Sequence, residues 1–420
     1  MKKGNNLLLG ISTSTRAKLS TQGYLEALNR MSDYQTMYEL IYELGSEKKI
    51  SNTEGLLLAS LFGARSKDID INVINLKDVF KSTKISKQEL TKELDRCSGI
   101  ILGTPVYFGD RSSWFEKLIE HIRTNKIDTK NKIFGMVTAG AKRNGGQETT
   151  LVFGLLDALN LGFNVVGNGP PTSQFGGTGW AGDIGKIQDD NFGIDTSMGV
   201  GKRVKRYFEI ISSKATSKKE LTIGILYSGF NKKGDMRIQD LILNIQKSGV
   251  ETKLIDIDRL KIKPCLACAK CPHTLETDYG CIIKDDMSEI RELFGGINGL
   301  ILISRKGNDK IGKYQLFLER TRFIRRSNFI MSDIPFGVYS IEDKLTGSQL
   351  STRMFMSFLR HNVFVVSPLV QSISDGSNTV RIGHIDELCC NLIKIASKTK
   401  SAISKSKSRY TYKSIGYGNT

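Results

Sequence analysis

The chain has 420 residues, which at about 150 residues per domain suits two or three domains with cores that need no disulfide or metal staple. Its 39% hydrophobic and 25% charged residues exclude wholesale disorder and a fibrous repeat. Lysine plus arginine at 61 against aspartate plus glutamate at 43 leaves a net charge of +18, so the expected partner is acidic: a phosphorylated cofactor, a nucleic acid or an anionic surface.

In chain order, the apolar residues 7–11 follow Lys2 and Lys3, are too short for a secretory leader core, and read as a buried strand. They end in Gly10-Ile11-Ser12-Thr13-Ser14-Thr15-Arg16. A turn of small hydroxyl residues offers N–H and O–H donors to a phosphate, although such turns also simply cap helices. Ser51-Asn52-Thr53-Glu54 is a capping box that starts a helix, and residues 17–50 between the two read as an insertion. A strand at 71–76, a helix at 87–96, a strand at 99–102, a helix at 114–122 and a strand at 132–137 follow. Strands apolar on both faces and separated by helices define a doubly wound α/β parallel sheet, whose ligands sit at the carboxyl ends of the strands.

Two of those strand ends carry further signals. Residues 100–103 run into Thr104-Pro105-Val106-Tyr107-Phe108-Gly109, where exposed aromatics can stack a planar ring. The next strand delivers Thr138-Ala139-Gly140-Ala141-Lys142-Arg143-Asn144-Gly145-Gly146-Gln147-Glu148, a small and Gly-rich segment that lets backbone approach a ligand closely. His121 and His361 lie in helical sequence and read as surface or packing residues rather than bases, and Trp114 as a core-packing residue.

An internal repeat spans the chain. RCSGIIL at 96–102 matches GINGLIL at 296–302, FGMV at 134–137 answers FGVY at 336–339, and 164–166 answers 364–366. The expected domains are therefore 1–213 and 214–398, joined through a polar segment at 212–220. Residues 399–420 carry lysines and an arginine but no acid, and are expected to form a basic flexible tail.

The second half has Cys265, Cys268, Cys271 and Cys281 at C-x2-C-x2-C-x9-C spacing. Four such thiolates suit a [4Fe–4S] cluster, a zinc ion or plain reduced thiols. At the repeat offset, Thr104-Pro105-Val106-Tyr107 becomes Ser304-Arg305-Lys306-Gly307, and the hydroxyl turn becomes Tyr227-Ser228-Gly229-Phe230-Asn231. The glycine-rich wall becomes a loop with acids, Ser340-Ile341-Glu342-Asp343-Lys344. No window reaches the ~18 apolar residues of a membrane span, and no RNA-binding signature is present. A cytoplasmic protein with reduced thiols and no specific nucleic-acid partner is expected.

On the motifs G-I-S-x-S-x-R with S-N-T-E, T-P-V-Y-F-G, A-G-x-K-R-N-G-G-Q-E and the late segment 176–183 with Asp195-Thr196, the first half resembles the NADPH-dependent FMN reductase and multimeric-flavodoxin quinone reductase families. The cysteine segment resembles that of iron–sulfur flavoproteins. The resemblance implies two tandem flavodoxin-like domains, the second degenerate, with one FMN in the first. It implies that Ser12, Ser14, Arg16, Asn52 and Thr53 hold the FMN phosphate. Thr104, Pro105, Val106, Tyr107 and Phe108 would line the ring, and Thr138, Ala139, Gly140, Arg143, Asn144 and Gly145 would close its other edge. The implied activity is hydride transfer from NAD(P)H to flavin and on to a quinone, flavin or other acceptor. The alternative is an electron-transfer protein, with FMN and a cluster, that serves a redox protein without NAD(P)H turnover. A homo-oligomer, or a pseudo-dimer of the two halves, would complete the pocket.

Overall fold

Residues 6–12 form β1 (Asn6–Ser12), buried over its last five positions. This and the following elements come from a computed structural model that describes residues 6–82, 84–182, 186–229, 236–268, 271, 281–306, 313–326, 329–343, 349–374 and 379–405. The chain divides into two units, Met1–Phe208 and Glu209–Thr420.

In the first unit β1 is followed by α1 (Thr21–Arg30), α2 (Tyr34–Ser46), α3 (Asn52–Ala64), β2 (Ile69–Asn75) and α4 (Leu76–Phe80). Then come α5 (Lys87–Arg96), β3 (Gly99–Pro105), α6 (Ser113–Thr124), β4 (Ile133–Gly140) and α7 (Gln147–Leu161). The short strands β5 (Asn164–Val165) and β6 (Gly177–Trp180) precede α8 (Asn191–Ile211), which crosses the boundary between units. All pairings are parallel, in the order β2-β1-β3-β4-β5, with β6 beside the carboxyl end of β4. This is the flavodoxin-like order, with its switch point between β1 and β3. Alternate residues of β4 meet opposite helix layers: a Cβ at Gly135 would touch Val200 of α8, whereas Met136 packs on Phe115 and Gly154 of α6 and α7. Every residue of β4 is buried, as a central strand covered on both faces requires.

The insertion at 17–50 is two amphipathic helices. The reason lies in α3, NTEGLLLASLFGA, which has apolar residues all round. Such a helix is stable only when covered on every side. Leu56, Leu57, Leu58 and Leu61 are fully buried, each worth roughly 1.5–3 kcal/mol relative to exposure. On the side away from the sheet, the helices α1 and α2 supply cover; Arg65 of the α3 C-cap donates to Leu28 O at 2.9 Å, and Tyr34 meets Phe62 edge-on at 5.9 Å. The strand expected at 71–76 is two residues earlier at its start, and Leu76 opens α4 instead.

The second unit repeats the plan with β7 (Thr222–Ser228), α9 (Met236–Lys247), β8 (Glu251–Asp256), α10 (Met287–Gly296), β9 (Gly299–Lys306), α11 (Tyr314–Arg320) and α12 (Arg322–Arg326). It continues with β10 (Pro335–Asp343), α13 (Leu350–Leu359), β11 (Phe364–Val365), β12 (Val370–Ser374), β13 (Thr379–Ile382) and α14 (Ile385–Lys405). The parallel order β8-β7-β9-β10-β11 matches that of the first unit. Phe336 stacks on Phe358 of α13 at 4.4 Å, while a Cβ at its neighbour Gly337 would meet Leu388 of α14, so both faces are covered here too.

Two expectations are corrected. Residues 399–405 are not tail: α14 continues to Lys405, and Thr399 is buried and donates to Asp333 O at 3.3 Å. The apolar seam of the helix extends past Lys398, and this outweighs the local lysine content. Residues 406–420 lie outside the described residues. Residues 340–343 are not a loop either, because β10 runs through them in register with β12, and Glu342 accepts from Leu350 N–H at 3.0 Å.

Candidate functional site

Three strand ends meet at the carboxyl edge of the first sheet. Ser12 lies opposite Gly103 in register, and Ser12, Thr13 and Ser14 are all buried. Thr13 N–H donates to Gly103 O at 2.9 Å and Arg16 N–H to Ser14 Oγ at 3.2 Å, which curls the turn. Ser112 fixes it from α6, donating its hydroxyl to Thr13 O at 3.1 Å and its N–H to Thr104 Oγ1 at 3.2 Å. Thr13 Oγ1 is left buried with no hydrogen-bond partner. An unpaired buried hydroxyl costs about 1–3 kcal/mol, so the turn is complementary to an acceptor supplied from outside, as a phosphate group would be. Lys77 brings a cation to the same turn, its amine donating to Ala17 O. Arg16 is exposed beside it.

At the next strand end, Val106 N–H donates to Ala139 O at 3.0 Å. Tyr107 and Asp110 exchange both backbone hydrogen bonds, at 2.7 and 3.0 Å, around Phe108 and Gly109, whose φ angles are 54° and 80°. This is the backbone of a two-residue hairpin turn. A bulky residue with positive φ is strained; the paired Tyr107–Asp110 hydrogen bonds fix the turn, and the Phe108 ring is fully in solvent next to the exposed Tyr107. Two exposed aromatic side chains therefore stand at this strand end.

The third strand end closes against the second. Thr138 and Ala139 lie opposite Thr104 and Pro105 in register, and Gly140 N-terminal to the loop would place a Cβ 2.7 Å from the Gln147 amide. Gln147 is buried and organises the loop: its Oε1 accepts from Gly145 N–H at 2.8 Å and its amide donates to Lys142 O at 2.6 Å and Gly179 O at 3.1 Å. Asn144 is exposed. Arg143 pairs with the buried Asp190, donates to Thr178 O at 3.3 Å, and lies 5.8 Å from the Trp180 ring centre and 5.3 Å from that of Phe192. Its charge is thus matched within the protein.

Asn52 and Thr53 stand at the start of α3, where the capping box of Ser51 and Glu54 is formed in full. Asn52 Oδ1 accepts from Ile187 N–H at 3.2 Å, and Thr53 packs its methyl toward Gly103. Ser112, Lys77 and Asp190 were not singled out from the sequence, which included Gln147 only as part of the loop after β4. Asp183 of the late segment lies outside the described residues.

In the second unit, Cys265, Cys268, Cys271 and Cys281 line one cavity of about 340 Å³ together with Arg291, Arg320 and Arg326. Burial pushes the Cys271 thiol up, Arg326 opposes this, and the three other cysteines push it further up. Arg320 and Asp285 form a buried ion pair at 2.6 Å, and Arg320 also donates to Lys263 O at 2.8 Å and to Cys281 Sγ at 3.5 Å. Burial raises the Asp285 carboxyl, but hydrogen bonds from Arg320 and the Lys263 backbone outweigh it and hold the group below its ordinary value. Among the described residues, no three His, Cys, Asp or Glu side chains are gathered closely enough to hold a metal ion. The four thiols nevertheless line the same cavity.

The fold and these strand ends define a flavodoxin-like α/β protein. Residues 40–175 match the model of the NADPH-dependent FMN reductase family. An iron–sulfur flavoprotein of Methanocaldococcus jannaschii is 38% identical over 129 residues, covering 29% of this chain and 65% of that protein. One from Methanosarcina thermophila is 25% identical over 186 residues, covering 40% of this chain and 93% of its own. Among solved structures, a WrbA-like flavodoxin from Agrobacterium tumefaciens is 17% identical with a TM-score of 0.29, covering 48% of this chain and 96% of its own. Among the described residues, no helix is long and apolar enough to cross a membrane.

Proposed function

We propose that the chain is an FMN-dependent oxidoreductase that holds one FMN in the first unit, takes hydride from NAD(P)H and passes electrons to a quinone, a flavin or another small acceptor. The observation that carries this reading is the buried, unpartnered Thr13 hydroxyl between the buried Ser12 and Ser14. The hydroxyls of the turn, with Arg16 and Lys77, hold the phosphate. Pro105, Val106, Tyr107 and Phe108 form the shelf under the ring, and residues 138–145 limit its other edge. FMN, when bound, supplies the two-electron chemistry between nicotinamide and acceptor. The chain's residues bind and orient the reactants and exclude water.

The flavin absorbance of saturated full-length protein is expected to give one FMN per chain; two per chain would sink the assignment. Thr13→Val removes a hydroxyl with no partner in the protein, so the apoprotein should unfold at an unchanged urea concentration. Fluorescence titration should nevertheless show FMN binding weakened about tenfold or more, since a hydrogen bond to a charged group is worth about 1.5–3 kcal/mol.

The four-thiol cavity favours a second reading, an electron-transfer protein that pairs FMN with a cluster on Cys265, Cys268, Cys271 and Cys281. On that reading, protein purified without oxygen contains iron and sulfide, and Cys268→Ser loses both while retaining FMN. Elemental analysis without iron would leave the cavity to free thiols.

A further inference from the structure

The two units treat the same turn in opposite ways. Gly99 and Gly299 open equivalent strands, and the pairings of β1 with β3 and of β7 with β9 then make Ser12 equivalent to Tyr227 and Thr13 to Ser228. The pairings with β2 and β8 make Asn75 equivalent to Asp256, and so Lys77 to Asp258 two residues on. Where the first turn has a lysine, the second has an aspartate.

That aspartate takes up the donors of its turn. Asp258 accepts from Ser228 Oγ–H at 2.9 Å, from Gly229 N–H at 2.5 Å and from Lys313 N–H at 2.8 Å. The hydroxyl left without a partner in the first unit, on Thr13, is satisfied in the second by a carboxylate of the same chain. An anionic group whose two oxygens together receive one hydroxyl and two backbone N–H groups resembles the arrangement by which such turns bind phosphate. A second anion arriving there would find its donors engaged and a like charge in place.

We propose that Asp258 is a built-in substitute for a bound phosphate, and that the Lys77/Asp258 difference decides which unit accepts the phosphate of a ligand. The inference rests on reading the first turn as a phosphate site. It explains how the second unit keeps a buried, hydroxyl-bearing turn without a cofactor: the carboxylate satisfies the donors that a ligand would otherwise have to satisfy.

The test uses the full chain and inorganic phosphate. Asp258→Ala should melt about 5 °C below the unchanged protein in potassium chloride, from the loss of three charge-assisted acceptors. In potassium phosphate of equal ionic strength it should regain at least half of that difference, after subtraction of the shift the unchanged protein shows in the same buffers. Asp258→Asn, which keeps the side-chain volume and blocks the space, should show no phosphate-specific gain. Should Asp258→Ala not fold in chloride, its refolding yield in phosphate takes the place of the melting shift. An alanine variant as stable as the unchanged protein, an equal phosphate shift in both, or failure to fold in either buffer overturns the proposal. FMN titration of the unchanged protein separates the two readings. FMN bound without phosphate rescue removes the role of Asp258 alone, and rescue without FMN binding removes the FMN assignment alone.

Discussion

Replacing Gly146 with alanine is expected to cost the first unit about 2 kcal/mol or more and to weaken FMN binding at least tenfold. Gly146 has φ 94°, which costs an L-residue roughly 1–2 kcal/mol. A Cβ there would also lie 2.6 Å from Gly109 Cα and 3.2 Å from Gly109 N. Both neighbours are backbone, so relief requires the turn that carries Phe108 to shift. Gly109→Ala is the control: its φ is 80°, but nothing lies within 4 Å of the added carbon, so it should cost about 1 kcal/mol and leave FMN affinity nearly unchanged. Urea unfolding together with FMN titration checks both, and equal losses in the two variants would refute the clash as the cause.

The second large effect belongs to Arg320→Met. With side chains 4% and 2% exposed, Arg320 and Asp285 are buried together, and removing one partner of such a pair costs about 3–5 kcal/mol because the other charge is stranded. Asp285→Asn with Arg320→Met should recover part of the loss. The pH dependence has a definite sign. Asp285 titrates below its ordinary value of 3.8 in the folded unit, so its contribution is present above about pH 4 and lost as acid protonates it. Arg320→Met should flatten that acid limb of stability, as followed by unfolding at several pH values.

The alternation of strands and helices was legible because parallel strands buried on both faces leave continuous apolar runs, as in residues 99–104. The hydroxyl turn and the aromatic loop were legible because each is contiguous in sequence. Lys77, Ser112 and Asp190 were not, since each reaches the site through strand register or a crossover that local pattern does not encode. The two helices within 17–50 were hidden for a related reason: their apolar faces cover α3, and only the lack of a polar face on α3 announced a cover. At the other end, the lysines after 398 masked the apolar seam of α14. The carboxylate of Asp258 was legible as a residue but not as a ligand, because its donors come from residues 228, 229 and 313.

Glu54 has a consequence for how this chain could acquire so long an excursion beside its hydroxyl turn. Its buried carboxylate accepts from Lys18 N–H at 2.9 and 3.0 Å, from Leu19 N–H at 2.9 Å and from Ser51 N–H at 2.8 Å. The chain thus departs and returns through one carboxylate, with the ends of the excursion held together. For a loop clasped in this way, the entropy of closure grows only with the logarithm of its length, about 0.6 kcal/mol for each doubling. Segments of very different length could be exchanged between residues 19 and 51 while the hydroxyl turn at 12–14 kept its geometry, provided the exposed side of α3 received other cover.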